Sequence, residues 1–346
     1  MIYDKKKPIL SHIELSNICN AMCPQCGRNT VDKETGELKM LPGLNTGELL
    51  VDDYKNIFDD EFYDNFKLKK VNYCGNRSDP IATKHLHEVI EYTLERDKDT
   101  IINVATNGGL KTTEWWYNFG KLLSDKKHLI SFGIDGLSDT HALYRINTNF
   151  EKVIANAESF IKAGGKASWQ FLVFSHNEHQ IDEAKSLAKK IGFIEFKHIF
   201  TPRFLRLNNK ERRFNFKNKE YILKESSIKS VSDYIRNNIT DDIDIQCKAK
   251  KINEFFLDYD GNVFPCCWLG QSYAYKDYGR NVDNIMQWYD NNMNALKHSL
   301  TDILTKSFFL ETLEKSWKVQ PCYSCKKFCN KKINSNKQQF TTKEQL

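Results

Sequence analysis

From Ile9 to about Phe200 the chain alternates short apolar runs with longer segments in which apolar residues recur at helical spacing. Six apolar runs are predicted to be strands: Ile9–Leu15, Lys69–Cys74, Thr100–Ala105, Leu129–Ile134, Ser168–Phe174 and Phe193–Phe200. The intervening amphipathic segments predict helices: Ala82–Arg96, Thr113–Leu123, Phe150–Ala163 and Gln180–Ile191. Such strand–helix repeats indicate an α/β fold with a parallel sheet and right-handed crossovers. Six units are too few for an eight-unit barrel, so the pattern predicts an open, partial barrel.

Beyond the partial barrel, which we assign to residues 8–205, the alternation stops. Residues 206–244 are rich in Lys, Asn and Arg, and we interpret them as a connector with one helix near Val231–Ile239. A cysteine-rich module is predicted at 245–332. The polar residues 333–346 are expected to form a disordered tail, since they have too few apolar side chains to pack.

Composition excludes several classes of protein. Hydrophobic residues make up 40% and charged residues 28% of the 346 positions, which is typical of a globular protein. The net charge is +6, and the 51 Lys and Arg residues are interspersed with 45 acidic residues. The chain therefore lacks the concentrated positive charge that is typical of nucleic-acid binding. We find no signal peptide and no apolar run long enough for a membrane, and therefore expect a cytoplasmic protein. Thiols stay reduced there, so the ten cysteines are better interpreted as metal or cluster ligands than as disulfides.

Three cysteines closely follow the first predicted strand, in the run Cys19-Asn-Ala-Met-Cys23-Pro-Gln-Cys26. Iron–sulfur clusters of the [4Fe–4S] type usually take four cysteine ligands. Three thiolates on one loop would leave one iron open to another ligand. Zinc is the alternative, but it requires four tetrahedral ligands and no fourth Cys or His is nearby in the sequence.

A second group of cysteines lies in the module at 245–332. Cys247 precedes a predicted hairpin whose Asp-Gly turn leads to Cys266, and a Cys322-Tyr-Ser-Cys325 turn follows later. These four thiolates are enough for one cluster or one zinc ion. Cys329 is the substitute ligand in this assignment.

The first cysteine spacing, CxxxCxxC, resembles the signature of the radical S-adenosylmethionine (SAM) enzymes, and the second group resembles their SPASM/Twitch modules. The resemblance implies a partial (β/α)6 TIM-like barrel followed by a small Cys-rich α+β domain. It also implies that SAM binds the open iron of the first cluster and is cleaved there to a 5′-deoxyadenosyl radical. The number of cysteines in the second group favours one auxiliary [4Fe–4S] cluster.

The same resemblance implies SAM contacts at the ends of successive strands. The predicted contacts are Gly75, Asp79, Asn107, Asp135 and Arg145. For Gly75 and Asp79 an ordinary turn is the alternative, and for the other three a helix cap or a surface ion pair. The chain departs from the family in one position: Gln25 stands where an aromatic residue usually lies near the adenine.

The function implied by the resemblance is hydrogen abstraction from a substrate, with oxidation or cross-linking of a peptide as the expected outcome. A small-molecule dehydrogenase, of the kind that acts on aminocyclitols, is an alternative. A protein that binds zinc or a cluster without catalysis is another. The enzyme would need an external one-electron donor of the flavodoxin or ferredoxin type.

Overall fold

The computed structural model of the chain describes residues 4–331 and 337–346, apart from 5, 43, 45, 206, 208–209, 239–242, 275–283 and 290. The strands are β1 Ile9–Ile13, β2 Asn29–Val31, β3 Leu38–Met40, β4 Leu68–Tyr73, β5 Ile101–Thr106, β6 Leu129–Gly133, β7 Ala167–Val173, β8 Glu195–Phe200, β9 Glu211–Phe216, β10 Lys219–Lys224, β11 Glu254–Leu257, β12 Val263–Phe264 and β13 Thr341–Gln345. The α-helices are α1 Val51–Ile57, α2 Asp60–Asn65, α3 Leu86–Arg96, α4 Thr113–Leu122, α5 His141–Tyr144, α6 Phe150–Lys162, α7 Ile181–Ile191, α8 Val231–Asn238, α9 Lys248–Ile252, α10 Cys267–Ala274, α11 Leu300–Leu304, α12 Leu313–Val319 and α13 Tyr323–Cys329.

Nine of these strands form a large, mostly parallel sheet in the order β12-β11-β1-β4-β5-β6-β7-β8-β13. The six predicted strands are β1, β4, β5, β6, β7 and β8, and they lie side by side in chain order, which confirms the predicted α/β class. The four predicted helices are α3, α4, α6 and α7.

Local sequence explains where the helices begin and end. The Thr112 side chain accepts a hydrogen bond from the backbone of Trp115 at the start of α4, and Asn149 accepts one from Lys152 at the start of α6. Helix α7 ends at Gly192, whose φ of 99° is readily adopted only by glycine.

Contacts divide the chain into two compact units. The first comprises Met1–Ile18, Asn45–Asn103 and Asp242–Asn334, and the second Cys19–Leu44, Val104–Asp241 and Ser335–Leu346. The chain thus passes through each unit more than once, and this division differs from the predicted boundaries at 205, 244 and 332.

In the first unit, the hairpin predicted before Cys266 consists of β11 and β12, which pair antiparallel. Strand β11 also pairs in parallel with β1, with Leu10 opposite Glu254 and Ile13 opposite Leu257. The cysteine-rich module therefore extends the sheet instead of forming a separate layer. Spacing along the sequence could not show this, because the pairing joins segments far apart in the chain.

In the second unit, two predicted irregular segments contain strands. The connector carries a hairpin, β9 and β10, and the helix predicted near Val231–Ile239 is α8, although Ile239 itself lies outside the described residues. The expectation of a disordered tail is wrong for its last residues, because β13 pairs antiparallel with β8. The strand covers the edge of β8, which would otherwise present unpaired backbone groups.

Candidate functional site

The three cysteines of the first group lie on a loop of the second unit, which we call the thiol loop (residues 19–29). Its backbone closes on itself, since the Cys26 amide donates to the Cys23 carbonyl at 3.1 Å and the Asn29 side chain donates to the same oxygen at 2.9 Å. The Met22 amide also donates to the Ile146 carbonyl at 2.9 Å. The loop is therefore held in shape by its own backbone, by Asn29 and by a bond to Ile146.

Two N–H groups are directed at the sulfur of Cys19. The Ala21 amide lies 3.4 Å from it, and the predicted SAM contact Asn107, just after β5, places its side-chain nitrogen 3.7 Å from it. The same nitrogen donates to Asn20 at 2.9 Å. Hydrogen bonds to sulfur stabilise thiolates and tune the potential of a cluster. The two N–H groups near the Cys19 sulfur are therefore suited to a sulfur that binds a metal.

Cys23 lies in a buried core cluster. Its neighbours in that cluster are Ala21, Leu38, Tyr144, Ile146, Phe174, Phe204, Phe214 and Leu223. Burial raises the pKa of the Cys23 thiol to about 11, while the Arg145 charge opposes the rise. Its surroundings therefore favour the neutral thiol in the absence of a further positive charge.

In the described part of the chain, no group of three or more His, Cys, Asp or Glu side chains is arranged to hold a single metal ion. The thiol loop contains no fourth cysteine and no histidine, so its donors do not match the four-cysteine or the two-cysteine, two-histidine sets of structural zinc. The three thiols do fit an iron–sulfur cluster, because thiolates ligate the separate irons of a cluster and need not converge on one point.

The predicted contacts Asp135 and Arg145 bind each other. Asp135 follows β6 and is fully buried. One of its oxygens accepts from Arg145 Nε at 2.6 Å, and the other accepts from the Leu172 amide at 2.6 Å. The carboxylate therefore has both oxygens engaged and holds the guanidinium in place.

Arg145 is thereby directed towards the thiol loop. Its Nη1 lies 4.0 Å from the sulfur of Cys23, and its Nη2 passes over Gly133, where a Cβ atom would come within 2.4 Å of it. The terminal nitrogens are not needed for the bond to Asp135, which uses Nε. They can serve an anionic ligand next to the loop.

An aromatic group and a second arginine lie beside the same loop, and of these residues sequence reasoning missed Phe174 and Arg203. The rings of Tyr144 and Phe174 pack with their centres 4.5 Å apart and their planes tilted by 35°, and His176 stacks on Phe174 at 5.4 Å. The Arg203 guanidinium donates to the Tyr144 hydroxyl. Position was the only available signal, because Phe174 follows β7 and Arg203 follows β8 at the strand ends where such sites lie.

Asn177 joins these strand ends together. Its side-chain nitrogen donates to the carbonyls of Asp135 and Leu172, and its oxygen accepts from the Phe174 amide at 2.8 Å. Because Asn177 is fully buried, it keeps the segment after β7 aligned with Asp135.

In the first unit, Gly75 and Asp79 have structural roles. A Cβ atom on Gly75 would lie 2.0 Å from the Ser78 hydroxyl, so the turn requires glycine. Asp79 accepts from the Ile81 amide at 3.0 Å and caps a short helix at Pro80–Ala82. These contacts correspond to the turn alternative, and SAM binding by the two residues stays a prediction.

The buried acid of that turn is Glu14, which sequence reasoning did not identify. It accepts from the Arg77 amide at 2.7 Å and from the Ser78 hydroxyl at 3.1 Å. Burial raises the pKa of the Glu14 carboxyl, and the Arg77 charge opposes the rise. Its position directly after β1 was the only sequence signal.

The second group of thiols surrounds a cavity of about 100 Å³ in the first unit. The cysteines that line it are Cys247, Cys266, Cys267, Cys325 and Cys329. Cys329, the predicted substitute, shares a thiol hydrogen bond with Cys247, and Cys322 shares one with Cys325. All four predicted ligands and Cys329 thus belong to one neighbourhood that fits a cluster.

None of the helices in the described residues combines the length and apolar character needed to cross a membrane.

Comparison with solved structures identifies proteins of similar fold. SuiB of Streptococcus suis bound to precursor peptide SuiA matches with a TM-score of 0.53 and 16% identity, over 88% of this chain and 66% of that one. Native anSMEcpe with bound AdoMet and Cp18Cys peptide matches with a TM-score of 0.53 and 17% identity, over 93% of this chain and 89% of that one. The likeness establishes a shared fold. No protein-family model and no curated protein matches the chain.

Proposed function

We propose that this protein is a radical SAM enzyme. The observation that carries the proposal is the thiol loop, where three cysteines with no fourth ligand lie beside Asn107 and the Arg145 guanidinium. The shared fold with anSMEcpe, which was solved with bound AdoMet, supports it. Cys19, Cys23 and Cys26 would hold the cluster, which when bound supplies one electron that splits SAM into methionine and a hydrogen-abstracting 5′-deoxyadenosyl radical.

The chain's own residues bind and orient SAM in this proposal. Arg145 holds the methionine carboxylate through its terminal nitrogens, and Asp135 fixes the guanidinium through Nε. Asn107 donates to the sulfur of Cys19. The buried, packed rings of Tyr144 and Phe174 exclude water from this side of the loop, which protects a reactive radical.

The substrate that we propose is a peptide, which is oxidised or cross-linked at a side chain. This is supported by two proteins of the same fold, one solved with precursor peptide SuiA and the other with the Cp18Cys peptide. The cavity lined by the second thiol group would hold one auxiliary [4Fe–4S] cluster, which takes up an electron or orients the substrate. A protein of the flavodoxin or ferredoxin type would supply electrons.

Anaerobic reconstitution tests the proposal. The purified chain is loaded with iron and sulfide, reduced with dithionite and mixed with SAM. Formation of 5′-deoxyadenosine is the expected result, together with a low-temperature EPR signal that shifts when SAM is added. Tight zinc binding without that product would instead identify a structural metal protein.

A further inference from the structure

The cavity of the second thiol group reaches the surface of the first unit. Two of the residues that line it are exposed, Lys248 and Trp268, and each directly follows a cysteine in the sequence. Trp268 keeps 38% of its surface in contact with solvent. A cluster held by these thiols would therefore lie just below the surface, where a second protein can approach it.

Aromatic side chains cover the surface at this point. The rings of Trp268 and Phe328 stack with their centres 3.7 Å apart and their planes 10° apart. Tyr323, at the start of α13, is 48% exposed, and Lys327 Nζ lies 5.8 Å from the centre of its ring and 5.0 Å from that of Phe328. Trp and Tyr are the residues that most often anchor protein interfaces, so these exposed rings indicate a contact surface.

The helices beside the cavity are basic. Both α9 and α13 contribute residues to its lining, and together they contain five lysines and no acidic residue. Lys250 pairs with Glu314 at 2.7 Å, whereas the exposed Lys248 and Lys251 have no ion pair among the described residues. Because these two lysines are three residues apart, they lie on one face of α9. The surface around the cavity therefore carries an excess of positive charge.

We call this surface the cavity rim, and its residues are Lys248, Lys251, Trp268, Tyr323, Lys327 and Phe328. A cluster with four thiolate ligands is itself anionic, so balancing that charge is an alternative role for the lysines. The cavity also holds the carboxylate of Glu254, which accepts a hydrogen bond from Asn72 at 3.1 Å. Charge balance does not explain the exposed rings, which add no charge.

We propose that the cavity rim is the docking surface for an acidic one-electron carrier protein, an inference that rests on the proposed function. The lysines attract the carboxylates of the carrier, which speeds the encounter, and the aromatic rings make the close contact. Complexes between redox proteins bury little area, so a small rim is enough. In the complex, one electron leaves the reduced cluster in the cavity and enters the oxidised flavin of the carrier, which takes up one proton from solvent. The auxiliary cluster is then ready to accept the next electron from the substrate.

An acidic peptide is the other ligand that a basic, aromatic surface could bind. The thiols of the cavity favour the carrier, because a peptide needs no redox centre beneath its binding surface.

Calorimetric titration of the anaerobic, iron–sulfur-loaded chain with oxidised flavodoxin, a small acidic carrier, tests the docking. At low ionic strength, Lys251→Gln/Lys327→Gln should weaken binding about tenfold. The difference should shrink at about 0.15 M, where charges are screened beyond about 8 Å. Trp268→Ala should weaken binding at both ionic strengths, because its contact is apolar. Lys189→Gln/Lys190→Gln, which removes two exposed charges from α7, is the matched control and should bind like the wild type.

Electron transfer provides a second measurement. In the Cys23→Ala background only the second group would hold a cluster, which is reduced with dithionite, freed of excess reductant and mixed with oxidised flavodoxin in a stopped-flow instrument. We expect the rim lysine variant to transfer its electron about tenfold more slowly than the control at subsaturating carrier. Iron content and the reduction potential of the cluster, followed by EPR, separate docking from charge balance. A shifted potential or a loss of iron, with unchanged flavodoxin binding, would assign the lysines to charge balance and overturn the inference.

Other results would overturn it as well. The wild type could fail to bind flavodoxin, the rim variants could bind it and exchange electrons with it as the control does, or a short polyglutamate peptide could bind the rim more tightly than flavodoxin. Each of these leaves the radical SAM proposal standing, provided that dithionite and SAM still give 5′-deoxyadenosine, because dithionite replaces the carrier. Absence of 5′-deoxyadenosine from the wild type with dithionite would instead reject the proposed function itself.

Discussion

The two groups of cysteines are brought together in different ways. Cys19, Cys23 and Cys26 share one short loop, where two N–H groups face the sulfur of Cys19 and a guanidinium lies near that of Cys23. The second group comes from distant parts of the chain, with Cys247 before α9, Cys266 after β12 and the others around α13. If both groups hold clusters, as we propose, the second has enough thiols to saturate one, whereas the first would leave one position for another ligand. This contrast teaches that an incomplete ligand set points to chemistry and a complete one to electron storage or structure.

The largest expected effect is that of Cys23→Ala. Losing one of three ligands leaves too few thiolates for the SAM-binding cluster, so 5′-deoxyadenosine formation should be abolished. Chromatography of the reaction mixture measures this. Cys74→Ala is the matched control, because its thiol lies 2.9 Å from His12 Nε2 and is assigned to neither group. Cleavage retained in Cys23→Ala would contradict the assignment of the loop.

The second group should behave differently when Cys325 is replaced by Ala. We expect bound iron to fall by about one cluster's worth, while SAM cleavage continues without conversion of the substrate. Iron and sulfide analysis of the reconstituted chain provides the measurement. Cys267→Ala serves for comparison, since Cys267 lines the cavity but is not a predicted ligand. Unchanged iron content in Cys325→Ala would mean that the second group holds no cluster.

A smaller effect, on stability and on SAM binding, should follow from Asp135→Asn. This variant tests whether the charged side chains beside the first group of cysteines matter. Removing one partner of a buried ion pair leaves the other charge unpaired, which destabilises a protein by about 3–5 kcal/mol. Chemical denaturation of the iron-free chain measures this, and calorimetry of the loaded chain should show weaker SAM binding. Asp32→Asn is the control, because the pair between Asp32 and Lys39 is exposed and should change stability little. Equal stability of both variants would disprove a special role for Asp135.

The smallest effect concerns pH and the hairpin that leads to Cys266. Burial raises the pKa of the Asp258 carboxyl to about 7, although hydrogen bonds from Asn262 oppose the rise. In the unfolded chain an aspartate has a pKa of about 3.9, so the folded state binds the proton more tightly. The free energy of unfolding should therefore decrease as pH rises from about 4 to about 7. Denaturation of the iron-free chain at about pH 5 and about pH 8 checks this, and Asp258→Asn should flatten the difference.

Much of the fold could be predicted because its signals are local. The six strands and four helices of the partial barrel follow from apolar spacing within short windows, and the structure has them in the predicted order. The parts that could not be predicted depend on pairing at a distance. Strand β13 has the composition of a polar tail and is ordered by pairing with the distant β8, and β11 joins β1 across most of the chain.

The candidate site divides in the same way. The sequence by itself determined the thiol loop, since three cysteines at that spacing need no distant residue to lie on one loop. The folded chain alone shows that Asp135 holds Arg145 and that Cys329 lies beside Cys247. The physical reason is that hydrogen bonding, burial and charge pairing depend on which side chains meet in space, and residues far apart in the chain meet only once the sheet has formed.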